Sequence, residues 1–127
     1  MLLARRPVSL QKKGPKDRYQ EEIRVIAEKI IEDTQRNLLE GDLYVRIVWF
    51  HAERATIDVD NIIKPLLDAL KGIIYDDDAR VSQCLATRVN TQRGDYILST
   101  RNISSDVYDE LIRLLSEDAE HIICVEV

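Results

Sequence analysis

Residues 43–50, LYVRIVWF, alternate two sets of large side chains. Leu43, Val45, Ile47 and Trp49 fall on one side of an extended chain, and Tyr44, Arg46, Val48 and Phe50 fall on the other. This segment reads as a strand, and the remaining elements are placed around it. Ahead of it, Ile23, Ile26, Ala27, Ile30 and Ile31 recur at helical spacing. Asp17 is placed to cap that helix, with Gln20 completing a capping box, and Gly41 to end it after Leu38 and Leu39. Behind it, HAERAT reads as a loop, and Ile63, Leu66, Leu67, Leu70 and Ile74 are spaced as the core face of a second helix. Pro65 lacks the N–H that a helix interior uses, so this helix is expected to begin near residue 62 or to bend there. A strand over Val81–Val89, a turn at NTQRGD and a short strand at YILST follow. Ser104 or Ser105 then caps a helix carrying Val107, Leu111, Leu114 and Leu115, and HIICVEV closes the chain as a strand. A chain of 127 residues suffices for one core. Strands both consecutive and separated by helices give an α+β fold: a single domain over residues 1–127, a mixed β-sheet flanked by helices.

The composition, 32% charged and 45% hydrophobic, is that of a globular domain, and no apolar run approaches a membrane span. The opening MLLARRPVSL lacks the apolar core and cleavage site of a signal peptide. Cys84 and Cys124 are isolated, with no CxxC pattern, and are expected to be reduced thiols of a cytoplasmic protein. A net charge of −5 argues against a general nucleic-acid binder. Its distribution is uneven, however. Residues 1–18 hold six basic groups (Arg5, Arg6, Lys12, Lys13, Lys16 and Arg18) against Asp17, whereas the rest holds 12 basic and 22 acidic residues. The expectation is a positive N-terminal arm on an acidic body.

The segment IDVDNIIKPLLDALKGIIYDDDARV gathers six aspartates. In extended backbone Asp58 and Asp60, two apart, face the same side. The run Asp76–Asp78 lies one helix length away and can fold back toward them. Converging carboxylates raise one another's pKa unless a cation sits between them, and hard divalent cations take oxygen ligands. Sharing one ion would bring Asp58 and Asp78 to roughly 3–5 Å of each other. An EF-hand is excluded, because the fifth and sixth positions from Asp58 are Ile62 and Ile63. Spacing alone leaves two readings open: a metal site, or helix caps and a solvated acidic turn. Lys64 has the same duality. It can neutralise charge developing on a phosphate, or form an ordinary ion pair with Asp60 or Asp68. Neither His51 nor His121 has the pattern of a general base, and a cation that activates water makes one unnecessary.

DVDNIIKPLLDAL followed by DDARV resembles the RusA family of Holliday-junction resolvases. The family pattern D-x-D-N-x-x-K-x-x-x-D-A-L, then D-D-x-[QR]-[VI], is met by Asp58, Asp60, Asn61, Lys64, Asp68, Ala69 and Leu70, then Asp77, Asp78, Arg80 and Val81. PVSLQKKGPKDRYQEEIR is a weaker echo of the family's N-terminal region. The resemblance implies a small homodimeric, Mg²⁺-dependent endonuclease, with Mn²⁺ as the other candidate ion, that nicks four-way DNA junctions symmetrically. It implies metal-binding carboxylates at Asp58, Asp60 and Asp78, with Asp77 beside them, and Lys64 as the catalytic lysine. The chain is acidic where a junction binder presents a basic face, so DNA contacts are expected from Lys12, Lys13 and Lys16 of the arm, aided by Arg54, Arg80 and Arg88. The residues after Ser104 carry seven acids against Arg113 and should face away from DNA. Two rivals stand beside this reading. One is a module of the same fold that holds branched DNA or a partner protein without cutting. The other is a metal-dependent hydrolase of a small phosphate compound, which lacks support because the four glycines form no phosphate-cradling loop.

Overall fold

In chain order the elements are β1 (Leu2–Leu3), α1 (Lys13–Thr34), β2 (Leu43–His51), α2 (Ile63–Leu70), β3 (Val81–Asn90), α3 (Ser105–Ser116) and β4 (His121–Glu126). Two 3₁₀ turns, Val59–Ile62 and Asp78–Arg80, bracket α2. The structure, a computed structural model, describes residues 1–8, 13–52, 57–93, 99 and 101–127. The expected YILST strand, apart from Ser99, lies outside the described residues, as do Lys12 and Arg54.

The strands form one mixed sheet in the order β1-β4-β2-β3. β2 runs parallel to β3, from Leu43 opposite Val81 to His51 opposite Asn90, and antiparallel to β4, from Arg46 opposite Glu126 to His51 opposite His121. The alternation of LYVRIVWF explains why β2 is central, since both of its faces meet apolar layers. Leu43, Val45, Ile47 and Trp49 pack with Tyr19, Ile23 and Ala27 of α1 and Leu66, Leu67 and Leu70 of α2. Val48 and Phe50 pack on the other face with Leu111 and Leu114 of α3 and Ile122 and Cys124 of β4. Each Val, Leu, Ile or Phe among them, fully buried, contributes about 1.5–3 kcal/mol, so the two layers clamp β2 from both sides. The result is the α+β single domain that the order of elements implied.

Three expectations are corrected. Where it is described, the N-terminal segment is tied to the fold rather than a free arm: Leu2 and Leu3 pair with Cys124 and Ile123, and the chain is helical from Lys13. Pairing there covers the edge of β4, which would otherwise present unpaired backbone groups. Asp17 therefore lies inside α1 rather than at its cap, and Gln20 donates to the Pro65 carbonyl (2.9 Å) instead of closing a capping box. At its other end α1 stops at Thr34, before Leu38 and Leu39, because Gln35 turns left-handed (φ 49°). Gly41 (φ 79°) serves the turn into β2 instead. β3, α3 and β4 lie where the sequence places them, and Ser104 takes the cap position of α3 without a side-chain cap bond.

Candidate active site

Parallel β2 and β3 require a crossover, and the aspartate-rich segment is that crossover. α2 is its rigid middle. Leu66, Leu67, Ala69 and Leu70 bury its inner face, which leaves Lys64 on the outside. Pro65 falls in the first turn, where a missing N–H costs no helical bond, as the expected start near residue 62 requires. After Leu70 the chain reverses sharply. Gly72 is left-handed (φ 80°) and its N–H donates to the Tyr75 carbonyl at 2.7 Å. The buried Tyr75 hydroxyl then donates back to the Leu67 carbonyl at 2.9 Å, so the reversal is tied to the helix it follows. This delivers Asp76, Asp77 and Asp78 beside α2.

These three aspartates take separate partners. Asp76 points outward into a two-pronged pair with Arg80, whose hydrogen bond holds its carboxyl down at about 2. Asp77 caps the 3₁₀ turn by accepting from the Ala79 N–H (2.9 Å), and its other oxygen lies 3.5 Å from the Lys71 ammonium. Those contacts, the backbone bond first, lower its pKa. Asp77 is thus engaged as a cap. Asp78 turns inward, and its Oδ2 accepts from Lys64 Nζ at 2.9 Å. Its Oδ1 is buried and has no hydrogen-bond donor among the described residues. Lys64 also donates to Asp68 Oδ1, one helical turn on. Its pKa is raised by the hydrogen bond to Asp68 and then by that to Asp78. The ion pair expected between Lys64 and Asp60 or Asp68 forms with Asp68, and Asp78 joins it from 14 residues away.

Asp58 and Asp60 lie at the other end of the crossover. Asp58 is extended (φ −71°, ψ 147°), but the chain coils into a 3₁₀ turn from Val59, so the extended geometry expected for the pair ends at Asp58. Asp58 makes no side-chain cap bond, and neither carboxylate enters a hydrogen bond or ion pair among the described residues. Asp58 thus stands at the N-cap position of the 3₁₀ turn without the side-chain bond of a cap, and Asp60 lies inside the turn. The approach to Asp58 is fixed by Arg88 of β3, which donates to the Ile57 carbonyl at 3.0 Å. Among the described residues, no three His, Cys, Asp or Glu side chains gather so as to hold one metal ion. The convergence expected of Asp58, Asp60 and Asp78 is accordingly not formed. Three carboxylates repel one another, and it is the Lys64 ammonium that neutralises Asp78. Magnesium needs only one or two protein carboxylates, its other positions going to water and phosphate. The Oδ1 of Asp78 and the carboxylates of Asp58 and Asp60, all without a partner among the described residues, have the donor chemistry for such a hard cation, one or two at a time.

The histidines have structural roles. His51 is buried with its ring 4.9 Å from that of Trp49, and Trp49 Nε1 donates to His121 Nδ1 at 3.4 Å. Of the expected DNA contacts, Arg80 is held by Asp76 and Lys16 lies on the first turns of α1. Sequence reasoning passed over Tyr75, and it assigned Arg88 to DNA rather than to the Ile57 carbonyl. A tyrosine between an apolar run and an acidic turn is a faint signal for the first, while the second bonds across 31 residues and left none.

No helix among the described residues is long and apolar enough to cross a membrane. No curated protein sequence matches the chain at a significant level. The family model for endodeoxyribonuclease RusA matches residues 6–97, which span α1, β2, the whole crossover with Asp58, Asp60, Lys64 and Asp78, and β3, and the chain belongs to the RusA endodeoxyribonuclease family.

Proposed function

We propose that the chain is a divalent-metal-dependent endonuclease that resolves four-way DNA junctions by paired, symmetric nicks. The observation that carries this reading is Asp78, half-buried, with one oxygen on Lys64 and the other without a donor, on the same crossover as two uncommitted carboxylates. Asp78, Asp58 and Asp60 are the candidate ligands, and no more than two of them would share one ion in the arrangement described. Bound Mg²⁺ or Mn²⁺ would polarise the scissile phosphate and activate a water for attack on it. The chain's own contribution is positioning and charge. α2 is anchored by its apolar face, so Lys64 is presented from a rigid element with its ammonium fully charged. Placed against the phosphate, it stabilises charge developing on the departing oxygen. The Leu67–Tyr75 bond holds the turn that carries Asp78, and Arg88 holds the backbone at Ile57, next to Asp58. Resolution takes two cuts, so a twofold dimer with one site per protomer is the economical assembly. Two unpaired cysteines suit the reducing cytoplasm.

The test is incubation with a synthetic four-way junction, a matched linear duplex and a nucleotide phosphate, each with and without Mg²⁺. Junction-selective, Mg²⁺-dependent nicking is expected. Asp58→Asn and Asp60→Asn should abolish cutting while leaving junction binding intact or tighter, since a charge that repels phosphate is removed. Lys64→Ala should lose roughly 2–4 kcal/mol of transition-state stabilisation, as for removal of one oxyanion donor. Equal cutting of the linear duplex, or cutting by Asp58→Asn, would overturn the reading.

A further inference from the structure

We propose that Asp68 is a positioning residue that retains Lys64 when Asp78 turns to a divalent cation, so that Lys64 and the cation compete for Asp78 and Asp68 sets the balance. The inference rests on the metal-dependent reading above. Lys64 Nζ bridges two carboxylates of different origin. Asp68 belongs to the same helix, one turn on, and its distance from Lys64 is fixed by α2. Asp78 belongs to the 3₁₀ turn after the reversal. The bridge is therefore lopsided. One partner is built into the helix that carries the lysine, and the other is brought to it by tertiary folding.

The free oxygen makes Asp78 the contested member. Its Oδ1 is buried without a donor, so the carboxylate has an acceptor position still to fill while its Oδ2 is held by the ammonium. A cation that takes this carboxylate lies close to a positive charge, and the two repel. The lysine can yield Asp78 without being left unpaired because Asp68 remains bonded to it. With Asp68 gone, Asp78 would be the only carboxylate on Lys64 among the described residues and would be given up less readily. Asp68 thus keeps the ammonium beside the site while lowering its hold on Asp78. Its place one turn from Lys64 on α2 is what makes that possible: a partner on a loop would move with the turn.

The test is a double-mutant cycle read by calorimetric titration of Mg²⁺, and separately Mn²⁺, into the full chain without DNA. Lys64→Met should tighten cation binding by roughly two- to fivefold, the range for a charge pair of this exposure. Asp68→Asn removes a nearby negative charge and weakens binding in any background. The proposal requires that it weaken binding by a further factor of about two to five when Lys64 is present than in the Lys64→Met background. Asp68→Glu should recover part of that factor. If Asp68→Asn has the same effect in both backgrounds, Asp68 acts only through its charge and the proposal falls, with the metal site standing. If neither ion binds saturably to the parent chain or to Lys64→Met, the metal reading falls and takes this inference with it.

Discussion

Tyr75 and Tyr19 are both fully buried, and their hydroxyls have opposite circumstances. Tyr75 donates to the Leu67 carbonyl, whereas the Tyr19 hydroxyl has no partner among the described residues. Burial raises the pKa of each, so both stay protonated throughout the working range. Tyr75→Phe gives up one net hydrogen bond. The Leu67 carbonyl still accepts from the Lys71 N–H, so no acceptor is orphaned and the cost is about 0.5–1.5 kcal/mol. Tyr19→Phe removes a hydroxyl that was desolvated without compensation, and should be neutral or stabilising. Urea unfolding should therefore lower the midpoint of Tyr75→Phe and leave that of Tyr19→Phe unchanged or raised, and equal losses would contradict these hydrogen-bond assignments. Tyr75→Phe should also reduce junction cutting by more than its stability loss accounts for, because the bond steadies the turn carrying Asp78. At this scale the sequence showed which residue types were present but not which partner each would take. The i,i+4 spacing made the Lys64–Asp68 pair legible. The choice of Asp78, rather than Asp76 or Asp77, as the inward aspartate depends on the turn's geometry.

The turn is the element on which the site depends most, and Gly72 is the residue that permits it. A Cβ at Gly72 would meet nothing within 4 Å, so Gly72→Ala has no clash to relieve and isolates the backbone term. With φ at 80° that term should be about 1–2 kcal/mol, and Gly72→Asn should cost less because asparagine tolerates the left-handed region better. Thermal unfolding of the two variants, compared with wild type, checks the order. The elements themselves were legible to unequal degrees for physical reasons. β2, α3 and β4 carry their period in their own residues, and a buried face enforces it; α2 does so as far as Leu70, whereas Ile74, expected on the same helix face, lies past the helix end in the reversal. The ends of α1 escaped because Gln35 leaves the helix without a glycine, and because the pairing of Leu2–Leu3 with β4 is a contact between the two ends of the chain. The 3₁₀ turn at Val59–Ile62 escaped too, and with it the true disposition of Asp58 and Asp60.

At the scale of the molecule, a protein of net charge −5 has to hold a polyanion. Much of its positive charge is already engaged: Arg5 by Glu22, Arg46 by Glu126, Lys71 by Asp77, Arg80 by Asp76, and Arg113 by Glu110 and Glu117. Lys16 and Arg18 enter no ion pair among the described residues, and both lie on the first turns of α1. The uncommitted positive charge of the N-terminal region is therefore carried in part by a helix packed on the core, which presents it in a fixed arrangement. In a twofold dimer two such helices would offer phosphate a pair of anchors, leaving the acidic crossover to meet the scissile group. Replacing Lys12, Lys13 and Lys16 together by Gln should then weaken four-way junction binding. The slope of log K against log salt should become shallower by about 0.9 for each phosphate that the variant no longer neutralises. Arg80→Gln serves as the contrast: its charge is balanced by Asp76, so the slope should change little. Titrations of a fluorescent junction across a salt series, in EDTA to prevent cutting, distinguish the outcomes. A wild-type slope in the triple variant with a shallower one in Arg80→Gln would move the DNA from the start of α1 to the end of the crossover, where Arg80 would have to leave Asp76 to reach a phosphate.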